Sequence, residues 1–261
     1  MKVTIRLAAA LAAATLVGLL GAGLGDSHRQ ADISAAVEAL PAAPAPALRI
    51  GNAEPLPSQR FVTRWTVIRT TAPAYAAPSR SAAVVAEVHG YAPEGTPNLV
   101  PVLATSSTSD GVWVRVRLPV LPNGSTGWIR RRSLGPYQSL TTHLVVDRGR
   151  LSATLYRRGR IVFSAPVGIG TGASPTPAGE FNVRSKLTRY ASPFYGPIAF
   201  GTTARSAVLT DWPGGGFVGI HGTNEPELLP GRVSHGCIRF RNRDILRLAQ
   251  LMPVGTPITI R

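Results

Sequence analysis

Ser234-His235-Gly236-Cys237-Ile238-Arg239-Phe240, read with Gly219-Ile220-His221-Gly222-Thr223-Asn224 upstream, is the stretch on which this chain turns. Cys237 is the single cysteine among 261 residues, so no disulfide can form within the chain. A lone thiol is either a small buried hydrophobe or a reactive group, and its neighbours decide which. To attack a carbonyl it must become a thiolate, which needs a base or a cation beside a group of free pKa about 8.5. Two histidines are on offer: His235, two positions before the sulfur, and His221, sixteen before it. The glycines around them let backbone approach closely, and Gly236 offers an N–H to a developing oxyanion. Arg239, two residues on, carries a fork suited to a carboxylate. This company argues for acyl transfer and against an inert core cysteine.

The pattern His221-Gly222-Thr223-Asn224, twelve residues counted from Gly222 to Val233, then Ser234 to Phe240, resembles the signature of the L,D-transpeptidases, whose catalytic domain is of the YkuD type. Pro175-Thr176-Pro177-Ala178-Gly179-Glu180-Phe181 is similar to that family's "TPxGxF" stretch, and Ser192 to Pro197 lies where its substrate-capping segment would be. The resemblance covers residues 140–261 and implies a division of labour. Cys237 would be the nucleophile and His221 its general base, left as an imidazolium that holds the thiolate. His235 and Gly236 would shape the site beside the oxyanion hole. Arg239, Ser234, Thr223 and Tyr195 would face the peptide, although a turn-stabilising hydroxyl serves Ser234 equally well. Neither metal nor cofactor is implied.

The partners implied are peptidoglycan stem peptides. A tetrapeptide donor would be attacked at the L-centre of diaminopimelate with loss of D-alanine, and a diaminopimelate amine would accept the acyl group, giving 3-3 cross-links. Water or a lipoprotein amine could take the same acyl group, making a carboxypeptidase or a protein ligase. From a different class comes a non-catalytic wall-binding protein. A zinc site of His221, His235 and Cys237, completed by His143 or Asp211, is a further reading, but His-x-Cys is an uncommon ligand spacing.

Outward from that stretch the chain reads as mainly β. Leu144–Val146, Leu151–Tyr156 and Arg160–Phe163 are strand candidates joined by turns at Arg148-Gly149 and Arg158-Gly159. Asn242 can cap a short C-terminal helix with Ile245, Leu248, Leu251 and Met252 on one face, ended by Pro253 and Gly255, before a last strand over Pro257–Ile260. These elements form the catalytic domain, residues 138–261. Upstream, Ala83–Val88 and Leu99–Leu103 are strand candidates, with Pro101 demoting the second to an edge, and Val114–Leu118 alternates strictly. Trp113-Val114-Arg115-Val116 and Gly127-Trp128-Ile129, with a turn at Pro122-Asn123-Gly124, resemble the bacterial SH3-like modules found beside cell-wall enzymes. The expected architecture is a small SH3-like β-barrel over residues 61–137, followed by the catalytic domain.

Lys2 and Arg6 precede the apolar run Leu7–Leu24, interrupted only by Thr15 and glycines, which reads as an export signal over 1–25 or an uncleaved membrane anchor. An Ala/Pro-rich linker fills 26–60. Export to the cell wall or periplasmic space follows, with membrane contact only through that anchor. Lys and Arg number 28 against 13 Asp and Glu, a net charge of +15, of which +9 falls on 138–261 (15 basic, 6 acidic). Such a surface attracts anionic partners: nucleic acid, acidic lipid or an anionic wall polymer. Nucleic acid is not expected, because Arg130-Arg131-Arg132 lacks the interleaved aromatics of a base-stacking platform.

Overall fold

The computed structural model describes residues 54–55, 61–188, 193–209 and 216–261. The export signal or anchor, most of the linker, Ser192 and Asp211 lie outside the described residues. Among the described residues no helix is long and apolar enough to cross a membrane. The described residues form one compact unit built on two sheets.

The first sheet comprises β1 (Glu54–Pro55), β2 (Thr63–Val67), β3 (Ala72–Tyr75), β4 (Val84–Val88), β5 (Leu99–Thr108), β6 (Gly111–Arg117), β7 (Thr126–Arg130) and β8 (Gln138–Leu140). Its order is β4-β3-β7-β6-β5-β2-β8, with β1 on β5. The alternation read in β6 holds: Val114 and Val116 are fully buried while Arg115 is exposed. Three expectations change. Glu54–Pro55, placed in the linker by composition, pairs with Thr105 and Ala104. Gln138–Leu140, placed in the catalytic domain, pairs with Trp65–Thr63 of β2, so the second sheet starts after it. And β5 is no edge, since it lies between β6 and β2. Residues 99–101 pair with β2, whereas the pairing with β6 begins at Val102 and is bulged just beyond it. Pro101 falls at that handover, beside the bulge, where its missing N–H leaves no gap in the β6 ladder.

The second sheet takes β9 (Thr142–Asp147), β10 (Ser152–Arg157), β11 (Arg160–Pro166), β12 (Gly168–Gly170), β13 (Gly179–Leu187), β14 (Ala199–Arg205), β15 (Phe217–His221), β16 (Gly231–Ser234), β17 (Ile238–Arg239) and β18 (Pro257–Ile260). Its order is β11-β10-β9-β18-β13-β14-β15-β17-β12-β16. The long strand β13 joins two halves: Gly179–Asn182 pair with β18, and from Val183 the strand pairs with β14. One apolar cluster spans both halves, from Leu144 and Leu155 through Phe181 to Ile220, Ile238 and Phe240. Each such side chain, fully buried, contributes about 1.5–3 kcal/mol over leaving it in water.

Helix α1 (Asn242–Leu251) adds Ile245, Leu248 and Ala249 to the cluster. It follows β17 in the chain and packs against β11. Asn242 is not its cap. The N-cap is Arg241, with no side-chain capping bond, and Asn242 starts the helix proper.

Candidate active site

Two parallel neighbours frame the site. In β15 and β17, Ile220 lies opposite Ile238 and His221 opposite Arg239. Successive strand residues point to opposite faces, so the buried Ile220 and Ile238 anchor one face. Gly219, His221 and Cys237 stand on the other. The Gly219 N–H donates to the Cys237 Sγ at 3.4 Å. A Cβ on residue 219 would lie 3.7 Å from the sulfur and 3.8 Å from the His221 Cδ2, so glycine keeps the space between thiol and imidazole open.

His221 is 1% exposed. Its Nδ1 lies 2.6 Å from the Gly222 carbonyl oxygen, which can only accept. The proton therefore sits on Nδ1 and the lone pair on Nε2. The Tyr195 ring meets the imidazole edge-on at 4.7 Å between centroids, and Phe194 lies at 6.3 Å; both belong to the helical turn Pro193–Tyr195. Burial pushes the His221 pKa down to about 4; the Gly222 carbonyl opposes this and the Arg239 charge adds to it. Burial also pushes the Cys237 thiol up, against the Gly219 N–H and the Arg239 charge. Both shifts disfavour the charged forms, the thiolate of Cys237 and the imidazolium of His221.

The turn carrying the sulfur is tied from three sides. Ser234 Oγ donates to the Cys237 carbonyl at 2.6 Å and accepts the Gly236 N–H at 3.1 Å. Gly236, at φ +114°, takes a backbone conformation that a side chain would strain. Its carbonyl accepts from Thr176 Oγ1 at 2.7 Å, and that hydroxyl accepts the Gly170 N–H at 2.9 Å. Of the two roles open to Ser234, the hydrogen bonds make it the turn's brace. The Gly236 N–H is also spent on that brace, so it does not serve an oxyanion.

Arg239 is buried, donates to Glu225 Oε2 at 3.0 Å and lies 4.5 Å from the Phe194 ring centroid. It lines a narrow cleft against the sulfur, together with Ser234, the exposed His235, Ser206 and Leu209. On the other side a cavity of about 300 Å³ also reaches Cys237, bounded by Glu94, Arg184 and Gly201. Tyr195, Phe217, Val218 and His221 border both spaces. Thr223 is not brought to either. It is buried, its hydroxyl accepts the Glu225 N–H at 3.0 Å, and its own N–H donates to Asn242 Oδ1 at 2.9 Å. Asn242, read from the sequence as a helix cap, instead clamps the loop after His221. His143 lies on β9 with Nε2 2.8 Å from Thr259 Oγ1, and among the described residues no three His, Cys, Asp or Glu side chains converge as metal ligands. Phe217 was overlooked as well. The alternation Phe217-Val218-Gly219-Ile220-His221 would have placed its ring on the face of His221.

A thiol and an imidazole thus stand on one face of a β-rich domain, each reached from two cavities. The sequence profile of the YkuD L,D-transpeptidase catalytic domain matches residues 141–260. The chain is 32% identical over 125 residues to the putative L,D-transpeptidase YkuD of Bacillus subtilis, covering 48% of this chain and 68% of that protein. With the corresponding protein of Bacillus licheniformis it is 36% identical over 132 residues, covering 51% and 70%. Among solved structures, the catalytic domain of the Enterococcus faecium L,D-transpeptidase is 26% identical, with 46% of this chain and 96% of that one covered and a TM-score of 0.36. This chain belongs to the L,D-transpeptidase family.

Proposed function

We propose that the chain is an exported peptidoglycan L,D-transpeptidase that works through a Cys237 thioester. The observation that carries this reading is the placement of the sulfur at the meeting of two cavities, beside an imidazole whose Nδ1 is committed to a carbonyl. His221 Nε2 takes the thiol proton as the sulfur attacks the carbonyl on the L-centre of diaminopimelate. Charge separation is then confined to the reacting moment, when the developing oxyanion and imidazolium offset each other. With Gly236 engaged, the Cys237 N–H is the neighbouring backbone donor for the oxyanion. Collapse passes the proton from His221 to the departing D-alanine amine and leaves the acyl group on sulfur. A diaminopimelate amine of a second stem then attacks the thioester, His221 accepts its proton, and a 3-3 cross-link forms as the thiol is restored.

The first sheet serves as an SH3-like positioning module, and the net charge of +15 supports retention on anionic wall polymers. A disaccharide-tetrapeptide incubated with the protein should yield free D-alanine and a cross-linked dimer, followed by chromatography and mass spectrometry. Cys237→Ser should release neither. Undiminished release by that variant would remove the thiol mechanism.

A further inference from the structure

Phe217 opens β15 and shares a face with Gly219 and His221, because alternate strand residues point the same way. Two residues of strand span roughly 7 Å, so the ring and the imidazole stand on either side of the bare Gly219, whose N–H meets the sulfur. Both border each of the two spaces that reach Cys237. A group brought to the sulfur over Gly219 is therefore bounded by His221 at one end and by Phe217 at the other.

Two arginines hold the ring. Arg205 of β14 is the cross-strand partner of Phe217, and its guanidinium carbon lies 4.7 Å from the ring centroid. That of Arg184 lies 3.8 Å from the same centroid. Arg184 is the extra residue of a bulge in β13: Val183 pairs with Thr202 and Ser185 with Gly201, so Arg184 falls between the two pairs. A bulge of this kind re-aims a side chain out of the regular alternation. Each arginine is in turn held from the first sheet. In the turn between β6 and β7, Asn123 sets its carboxamide against the backbone of Arg205 like one rung of a ladder. Its Nδ2 donates to the Arg205 carbonyl at 2.8 Å, and its Oδ1 accepts the Arg205 N–H at 3.0 Å. Between β4 and β5, Glu94 accepts from Arg184 Nε at 3.0 Å and Nη2 at 2.6 Å, and from Ser185 Oγ at 2.6 Å.

Resting on the reading of Cys237 as the acylated nucleophile, we propose that the Phe217 ring orients the acyl donor at the sulfur, and that Asn123 and Glu94 of the first sheet set the place of that ring through Arg205 and Arg184. The first sheet then supplies part of the support of the active-site wall, besides any hold it has on the cell wall. Phe217 moves no proton; it fixes how a carbonyl lies over Gly219 relative to the sulfur. Asn123 and Glu94 are positioning residues, because they act through the arginines. A displacement of about 1 Å in a reacting group can cost about 100-fold in rate. A cation–ring contact is worth about two- to thirtyfold in an equilibrium.

The test is a double-mutant cycle in the full chain, with acylation of Cys237 by a carbapenem timed by intact mass. The carbapenem is a strained acyl donor whose lactam C–N bond opens as the thioester forms, so the protein gains its whole mass. Phe217→Ala should slow acylation by about tenfold to 100-fold. Asn123→Ala and Glu94→Gln should each slow it by about two- to thirtyfold. Added to Phe217→Ala, either should cost less than about twofold more, because the ring through which it acts is gone. A general loosening of the fold would multiply the losses instead. Phe61, just ahead of β2, also crosses between the sheets, and a Cβ at Gly159 would lie 2.8 Å from its ring, but it lines a separate hollow with His143 and Tyr156. Phe61→Ala should therefore acylate at the wild-type rate. Wild-type rates in Phe217→Ala or Asn123→Ala, losses that multiply in the double variants, or an equal loss in Phe61→Ala each overturn the proposal. Should Phe217→Ala fail to fold, Phe217→Leu takes its place with the same outcomes, and should Glu94→Gln fail, the Asn123 cycle decides alone. Wild-type protein that is never acylated would instead overturn the reading of Cys237 beneath it.

Discussion

At the residue scale, burial disfavours both the thiolate of Cys237 and the imidazolium of His221. A thiol raised by burial should alkylate with a pH midpoint above the free value of about 8.5. His221→Ala should move that midpoint little, because no resting imidazolium is lost. The measurement is iodoacetamide alkylation of Cys237 against pH in both proteins, and a wild-type midpoint below 7 would restore the ion pair. Acylation is a different matter. Loss of a general base costs about 10²–10⁴-fold, so His221→Ala should acylate with a carbapenem that much more slowly.

At the scale of elements, the parallel pair β15–β17 does the positioning and the start of α1 holds it. Asn242 Oδ1 fits beside Gly196 and Gly222, where a Cβ at either position would collide with it, and accepts the Thr223 N–H. Asn242→Ala should leave that N–H without its partner and cost about 1–3 kcal/mol in urea unfolding. Asn242→Asp, which keeps the acceptor oxygen, should cost less. If both variants match wild type, the loop after His221 is held by something else. This role was hidden in the sequence, since Asn before a helical run signals a cap and only tertiary structure shows the side chain turned back to β15. The strands β6, β9, β10, β11 and β18 were readable because each is a short run rich in apolar and β-branched residues, and turn residues close most of them. Of the pieces that build the site, β12, β16 and β17 span only two to four residues, too short for a period.

At the scale of the whole molecule, buried neutral His221 couples the site to the stability of the fold. Its folded pKa of about 4 lies below the unfolded value of 6.5, so between these the unfolded chain binds the extra proton. Stability is therefore fully present above 6.5 and falls as pH drops toward 4, by about 3 kcal/mol from this group. Chemical unfolding at a series of pH values should show the slope in wild type and its loss in His221→Gln; equal slopes would contradict the burial argument. The two-sheet organisation was readable from the turn signals and strand spacing, but not the contact between the sheets. Glu94 and Arg184 stand 90 residues apart, and nothing local to either marks the other.

The central claim is a covalent one, that Cys237 carries the donor peptide. Wild-type protein mixed with disaccharide-tetrapeptide, quenched in acid and analysed by intact mass and peptide mapping, tests it most directly. The account predicts one adduct, the donor's mass less D-alanine, on the peptide containing Cys237, and none in Cys237→Ser. An adduct on another residue, or D-alanine released at full rate by Cys237→Ser, would contradict it.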